Sequence, residues 1–189
     1  MSIVKDQGSG CGSSWAFSAV GAVESAFMIA GITNQTLSDQ QVVDCTESYG
    51  NYGCSGGLMN LTFKYIIDKG ITTESAYPYK GRFQKCQIDG GIYKISNYAN
   101  VYGCSNFIKV IGTNTISSAP DATNWFTYKS GIFNNCGSQA NHGALVVGYT
   151  NEYWKVKNSW GPTWGEKGYI RLAPGNTCRV CDFGSYPIL

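Results

Sequence analysis

The chain has 189 residues, enough for one large domain or for two smaller halves that share a cleft. Hydrophobic residues make up 43% and charged residues 14%, a composition typical of a globular protein with its own core. The formal net charge is +2 and the lysines and arginines are scattered, which argues against a nucleic-acid partner and a polybasic membrane contact. No apolar run is long enough to predict a membrane span.

The chain has eight cysteines, which in a cytosolic protein of this size would more often serve metal binding or redox chemistry. The Cys-x-x-Cys at Cys178 and Cys181 has no second such pair, and the chain has a single histidine, so we expect no zinc site. The cysteines instead predict a disulfide framework from an oxidising compartment, although eight cysteines allow about 105 pairings and their number does not choose among them. The sequons at Asn34 and Asn60 fit that compartment, but motifs this short also arise by chance.

Three helices are predicted in the first half of the chain. The segment from Ser14 to about Ala30 is apolar nearly all round, which predicts a buried helix with Ser13 or Ser14 as its N-cap and Gly31 as its stop.

A second helix is predicted from the N-cap Ser38 to Asp44, because Ser38-Asp39-Gln40-Gln41 is a variant of the capping box. A third is predicted from about Gly57 to Asp68, with Gly70 closing it.

After about Ile92 the sequence favours strands. Short, largely apolar segments of strand length occur at Phe107–Ile111, Ala144–Val147, Tyr153–Lys157 and Tyr169–Leu172. The predicted helices therefore lie in the first half of the chain and the predicted strands in the second half. This segregation predicts an α+β fold with two sub-domains.

Several separated motifs stand out along the chain. They are a glycine- and cysteine-rich tract that leads into the first helix, a Cys-x-Gly-Gly motif, the segment around the single histidine, an Asn-Ser-Trp-Gly motif with the glycine-rich stretch after it, and a closing Ser-Tyr-Pro. In order along the chain they lie at Gln7–Phe17, Cys54–Gly57, Asn141–Tyr149, Lys157–Gly161, Trp164–Tyr169 and Ser185–Pro187. Together they resemble the papain family of cysteine peptidases, in particular its cathepsin L-like members.

The resemblance implies a papain-like, two-lobed α+β fold. Residues 1–98 would form a helical left lobe with the central helix starting at Ser14. Residues 99–189 would form a β-barrel-like right lobe, with the C-terminal tail crossing back. The active-site cleft would lie between the lobes.

The resemblance also implies the roles of five residues. Ser14 occupies the nucleophile position at a helix N-terminus, where family members have cysteine, and His142 and Asn158 match the histidine and the asparagine that orients it. Gln7 matches the glutamine of the oxyanion hole, and Trp160 the indole that shields the His142–Asn158 hydrogen bond from water. The chemistry of the family uses no cofactor.

Substrate-binding residues follow from the same resemblance. Gly56 and Gly57 match glycines that let an extended peptide pair with the main chain. The pocket for the second residue before the scissile bond would contain Leu58, Met59, Ser117, Ala140, Gly143 and, at its far end, Phe183. A phenyl ring there would favour medium aliphatic residues over phenylalanine. Leu58 and Met59 are alternatively explained as helix core.

The resemblance implies the disulfides Cys11–Cys54, Cys45–Cys86 and Cys136–Cys178. Cys104 and Cys181 are then left over, and a fourth bridge between them is an open guess.

The sequence departs from the family at the nucleophile. A serine hydroxyl cannot form the thiolate–imidazolium pair, so loss of most activity is expected. Ser14 fits a knock-out substitution, a natural pseudo-peptidase or a repurposed template such as the silicateins, the last disfavoured because Trp15 is retained. Gly10 lengthens the loop after Gln7, and Pro120 is unusual beside the pocket. Cys11, four positions before Trp15, matches a disulfide cysteine better than a nucleophile.

These observations predict a cathepsin L-like endopeptidase scaffold, silent or nearly so. The alternatives are a pseudo-peptidase that binds peptides or a protein partner, and a structural module of a larger assembly. The expected ligands are an extended peptide or protein substrate and an inhibitory pro-segment. A monomer in a lysosome, in a vacuole or outside the cell is expected.

Overall fold

The computed structural model describes all 189 residues. The helices are α1 (Ser14–Ile29), α2 (Asp39–Cys45), α3 (Met59–Asp68) and α4 (Cys104–Ile111). The strands are β1 (Asn97–Val101), β2 (Ile116–Ser118), β3 (Ile132–Phe133), β4 (Ala144–Tyr149), β5 (Trp154–Lys157), β6 (Tyr169–Leu172) and β7 (Gly184–Ile188). Single 3-10 turns lie at Glu47–Tyr49, Gly53–Ser55 and Thr177–Arg179. None of the helices has the length and hydropathy needed to cross a membrane.

Helix α1 is the central element, and it is buried along most of its length, as its apolar sequence predicts. It ends where expected, because Gly31 adopts a left-handed conformation (φ +70°) and the Ile32 N–H bonds back to the Phe27 carbonyl at 3.0 Å. Ser13 occupies the N-cap position, but its side chain makes no capping bond. The hydroxyl of Ser13 lies 2.7 Å from that of Tyr79 instead.

Helix α2 is capped by Ser38, whose hydroxyl accepts a hydrogen bond from the Gln41 N–H at 3.0 Å. The other half of the capping box is absent, since the Gln41 side chain accepts from the Thr72 N–H at 2.8 Å. Helix α3 begins at Met59, two residues later than the predicted start.

The prediction of a strand at Phe107–Ile111 is wrong, because these residues form the second half of α4. Phe107, Val110 and Ile111 are spaced i, i+3, i+4 and pack against the second core, whereas Ile108 between them is exposed. The five-residue run is too short for strand and helix periods to be distinguished by hydrophobicity alone.

The strands form one seven-stranded sheet in the order β1-β7-β2-β4-β5-β6-β3. All neighbours are antiparallel except β3 and β6, and the edge strands β1 and β3 do not pair with each other. The other three predicted strands are present as β4, β5 and β6. Strands β1, β2, β3 and β7 were not predicted.

Two hydrophobic cores lie on either side of β4. The first contains α1, α2 and α3, and the second lies among the strands and α4. Because side chains alternate along a strand, Leu145 points into the first core while Ala144 and Val146 belong to the second. Strand β4 thus places the residues just before it at the junction of the two cores.

Four disulfides use all eight cysteines. They are Cys11–Cys54, Cys45–Cys86, Cys104–Cys181 and Cys136–Cys178, and no free cysteine remains. The three implied pairings and the fourth that was left open are therefore all formed.

Candidate active site

Ser14 is the first residue of α1, where the leading backbone N–H groups of a helix have no intrahelical acceptor. Its hydroxyl oxygen accepts a hydrogen bond from the Gly143 N–H at 3.0 Å. Gly143 is what allows this contact, since a Cβ there would lie 2.8 Å from the backbone of Trp15. The start of α1 is therefore in direct backbone contact with the segment that carries His142.

The imidazole of His142 is held by Asn158, with 2.7 Å between His142 Nε2 and Asn158 Oδ1. The same Oδ1 accepts the Ser159 N–H at 2.8 Å, which fixes the amide orientation because only an oxygen can accept that bond. His142 Nε2 must then be the donor, so the neutral ring carries its proton on Nε2. Nδ1 is left as the nitrogen able to accept a proton.

Aromatic rings surround His142. The indole centroids of Trp160 and Trp125 lie 5.0 and 5.7 Å from the imidazole. Trp160 is in turn stacked on Phe126 at 4.6 Å. This apolar shell lowers the pKa of His142 to about 4 by desolvation, against the smaller opposing effect of the Asn158 hydrogen bond. No negative charge lies close enough to oppose the shift, and the ring is neutral at pH 7.

Gln7 is buried beside this group. Its Oε1 accepts from the Ser159 hydroxyl at 2.6 Å and its Nε2 donates to the Cys11 carbonyl at 3.2 Å. Its backbone is fixed by the Ser159 carbonyl, which accepts the Gln7 N–H at 2.9 Å, and by the Tyr79 hydroxyl, which donates to the Gln7 carbonyl at 2.7 Å. The side chain is therefore held firmly despite the extra Gly10 in the following loop.

A cleft of about 730 Å³ connects these residues. Ten of the residues singled out from the sequence line it: Gln7, Ser14, Gly56, Gly57, Leu58, Met59, Ala140, His142, Gly143 and Trp160. Gly57 has no room for a side chain, because a Cβ would lie 2.6 Å from the Trp15 indole. Leu58 is half exposed, whereas Met59 is 2% exposed and also belongs to the first core.

Comparison with known proteins settles the ancestry of this arrangement. The model of the papain family of cysteine proteases matches residues 1–188, which is nearly the whole chain. The chain belongs to the papain family of cysteine proteases.

Its similarity within that family is to cathepsin L-like members. It is 41% identical to cathepsin L 2 of Paramecium tetraurelia and 44% identical to cathepsin S of Bos taurus, over 98% and 97% of this chain. It spans 60% of the length of each of these relatives. The solved structure of digestive procathepsin L 3 from Tenebrio molitor larval midgut superposes with a TM-score of 0.94 at 42% identity, covering all of this chain and 67% of that one.

Two residues that the papain-family resemblance assigned to the pocket do not line the cleft. Ser117 lies in β2, is fully buried, and donates its hydroxyl to the Ser18 carbonyl at 3.0 Å. Phe183 is half-buried and faces Tyr102, with 5.7 Å between ring centroids. Narrowing of the pocket by Phe183 therefore stays a prediction, and its ring is not among the residues that line this cleft. A motif fixes a residue's place along the chain, but the direction of its side chain depends on the local backbone.

The cleft also contains residues that sequence reasoning missed. Ala119, Ala122, Thr123 and Phe126 line it. Ala119 immediately follows β2, and no local pattern distinguishes it from Ser117. Phe126 is 74% exposed in the structure although it is a large aromatic residue.

Proposed function

We propose that this chain is a cathepsin L-like endopeptidase scaffold whose hydrolytic activity is absent or nearly absent because Ser14 occupies the nucleophile position. The observation that carries the proposal is the placement of the Ser14 hydroxyl at the N-terminus of α1, against the Gly143 amide and beside the His142–Asn158 pair. This arrangement supports a site built for acyl transfer in which only the sulfur is missing.

With a thiol at position 14, the helix N-terminus and the imidazolium of His142 would stabilise a thiolate. The thiolate attacks the peptide carbonyl, and the oxyanion is bound by the backbone N–H of residue 14 and by the Gln7 amide, which has a second N–H available. His142 then protonates the leaving amine, and a water molecule activated by the same ring releases the acyl group. Asn158 keeps the ring in the orientation that each proton transfer needs.

A serine hydroxyl does not enter this cycle readily. Its alkoxide is far more basic than a thiolate, so the proton must leave during the attack and needs a competent base. His142 has a pKa of about 4 and is therefore a weak base. The chain also lacks the buried carboxylate that raises the basicity of the histidine in serine hydrolases, because Asn158 takes that place.

The cleft supports an extended peptide as the ligand. Gly56 and Gly57 expose main chain without side chains, as backbone pairing requires. The adjoining wall of Leu58, Met59, Ala119 and Ala140 is apolar and carries no acid, which favours an apolar residue at the second position before the scissile bond. A basic residue there would be disfavoured because its buried charge would be unpaired.

The same observations favour a second function, a pseudo-peptidase that binds peptides without cleaving them. The intact cleft beside a poor nucleophile suits retention of a bound segment. An inhibitory pro-segment or a protein partner is a further proposed ligand, and the four disulfides support a lysosomal, vacuolar or secreted location. We also propose a boundary between a helical and a strand-rich lobe near residue 98, supported by the two separate cores.

The deciding experiment is the Ser14→Cys variant. We expect kcat/KM on short peptide substrates with an apolar second residue to rise by at least about a thousandfold. Since all eight native cysteines are in disulfides, the new thiol is the only free one, and its rate of alkylation can be followed against pH. The thiolate should form well below the ordinary thiol pKa of about 8.5.

Two controls separate the alternatives. Ser14→Ala should show no hydrolysis, and Ser14→Cys combined with His142→Ala should lose both the activity and the low thiol pKa. If Ser14→Cys stays inactive while the unmodified protein binds the peptides, the binding function is favoured over the peptidase. If the variant is inactive and no peptide binds, both proposals are wrong.

A further inference from the structure

A second, much smaller cavity lies beside Asn158, and its volume of about 20 Å³ is enough for one water molecule. Its lining includes Glu24 and Gly21 of α1, Leu145 of β4, and Lys157 and Asn158. All of these side chains are buried, and His142 is not among the lining residues.

Two polar atoms on the lining residues have no partner within the protein. Asn158 is 3% exposed, and its Nδ2 amide makes no hydrogen bond, although Oδ1 accepts two. Glu24 is 2% exposed, and its Oε1 is likewise unpaired, although Oε2 accepts from the Leu37 N–H at 2.8 Å. Buried polar groups of this kind are nearly always satisfied, by protein or by ordered water.

The nearby ammonium groups are already engaged elsewhere. Lys5 Nζ lies 2.7 Å from Asp39, 3.1 Å from Glu24 Oε2 and 3.1 Å from the Leu37 carbonyl, which accounts for its three hydrogens. Lys157 Nζ donates to the backbone and hydroxyl oxygens of Ser2 at 3.0 and 2.9 Å. Lys157 therefore has one N–H left over, but neither lysine pairs with Asn158 Nδ2 or Glu24 Oε1.

We propose that one ordered water molecule occupies this cavity, accepts a hydrogen bond from Asn158 Nδ2 and donates one to Glu24 Oε1, so that Glu24 acts through it as a positioning residue for His142. The polarity fits in one direction only, because the amide nitrogen can only donate and the carboxylate can only accept. A water molecule can accept from the amide and donate to the carboxylate, and it then has one donor and one acceptor left.

This water bridge would fix the orientation of the Asn158 amide. Rotation of the amide by 180° would break the bond from Asn158 Nδ2 to the water and would place an N–H group against the Ser159 N–H. With the bridge, Oδ1 faces His142 and the imidazole proton stays on Nε2. Glu24 thus stabilises the ring orientation without touching the ring, as outer-layer groups commonly do in preorganised sites.

The inference rests on the roles proposed for His142 and Asn158, but it is tested on the unmodified Ser14 protein and needs no activity. His142 is the only histidine, so ¹⁵N NMR of the imidazole reports one ring. The readouts are the fraction of ring protonated on Nε2 and the exchange rate of that proton with solvent.

Two variants disturb the bridge by different routes. Glu24→Gln weakens the acceptor, and Gly21→Ala adds a methyl group at the cavity wall, where the new Cβ would lie 3.2 Å from Leu145 Cδ2. Alanine suits a helix interior better than glycine, so the second variant keeps its fold. The matched control is Asp39→Asn, which also removes a buried carboxylate bonded to Lys5 but does not line the cavity.

We expect both Glu24→Gln and Gly21→Ala to speed Nε2–H exchange at least about tenfold and Asp39→Asn to change it less than about twofold. A high-resolution crystal structure of the unmodified protein should show a water molecule within hydrogen-bonding distance of both atoms. The proposal is overturned if that position holds no water, or if Gly21→Ala and Glu24→Gln exchange no faster than Asp39→Asn. A failure of this kind leaves the outcome of Ser14→Cys untouched, so the two proposals fail separately.

Discussion

His142 has two ring nitrogens with separate tasks. Nε2 is committed to Asn158 at 2.7 Å, which leaves Nδ1 as the nitrogen that can act on residue 14. The ring has no anionic neighbour while residue 14 is a serine, and desolvation by the apolar shell outweighs the Asn158 hydrogen bond and lowers its pKa to about 4. The charge state of the His142 ring should therefore depend on which residue occupies position 14.

We predict that the pKa of His142, measured by NMR titration, lies below about 5 in the Ser14 protein. In Ser14→Cys it should rise above neutrality, because a thiolate next to the ring stabilises the imidazolium. Ser14→Ala is the control and should leave the pKa low. Equal pKa values in the serine and cysteine proteins would mean that no ion pair forms and that the nucleophile assignment is wrong.

Helix α1 and the segment before β4 meet without an intervening side chain at Gly143. The same helix meets β4 again near Gly21, where Leu145 approaches from the strand. These two contacts set the distance between the helix N-terminus and His142. The alignment of the site thus depends on how closely two elements pack.

We predict that Gly143→Ala destabilises the protein by about 1–3 kcal/mol, because its Cβ would lie 2.8 Å from the backbone of Trp15. The matched control is Gly148→Ala in β4, where the nearest atom to a new Cβ is 3.8 Å away and the change should stay within about 0.5 kcal/mol. Thermal unfolding of both variants measures the difference. Equal melting temperatures would show that the close approach at Gly143 is not essential.

Elements with strong local signals were predictable from the sequence, and those that depend on distant partners were not. Helix α1 is long, apolar and stopped by a glycine, and β4 is a continuous apolar run. Strand β1, in contrast, has the polar sequence Asn-Tyr-Ala-Asn-Val and is a strand because it pairs along its whole length with β7, almost 90 residues later. Helix α4 was missed because its run is short, although the spacing of Phe107, Val110 and Ile111 carried the helical signal.

The site as a whole was more predictable than its pocket. Ser14, His142, Asn158 and Gln7 were located by motifs that the chain brings together from four separate segments. Of the six residues assigned to the pocket, four line the cleft, whereas Ser117 and Phe183 are not among the lining residues and Ala119 and Phe126 are. Motifs mark reacting groups, while the shape of a pocket depends on the backbone of loops between the elements.

On the scale of the whole molecule, buried titratable groups make the stability depend on pH. His142 ordinarily titrates near 6.5 and has a folded pKa of about 4, so between these values the unfolded chain binds a proton that the native protein does not. Its contribution to stability is complete above pH 6.5 and is lost as pH falls to 4. Burial raises the pKa of Asp39 to about 7, which gives the opposite slope.

We predict that the difference in unfolding free energy between the native protein and His142→Gln decreases by roughly 2–3 kcal/mol from pH 6.5 to pH 4. Because Asp39 is present in both proteins, its contribution cancels in the difference. Chemical denaturation across this range provides the measurement. A difference that is constant with pH would show that His142 titrates normally in the folded state.

The close fit around Gly57, Gly143 and Trp15 has a consequence for how such a protein changes over evolutionary time. These residues shape the cleft and also pack the core, so folding alone keeps the groove open once they are in place. A lineage that loses its nucleophile therefore retains a ready-made peptide groove without any selection for cleavage. Selection can then act on that groove for capture of a new partner, and Ser14→Cys tests whether a single side-chain change restores cleavage.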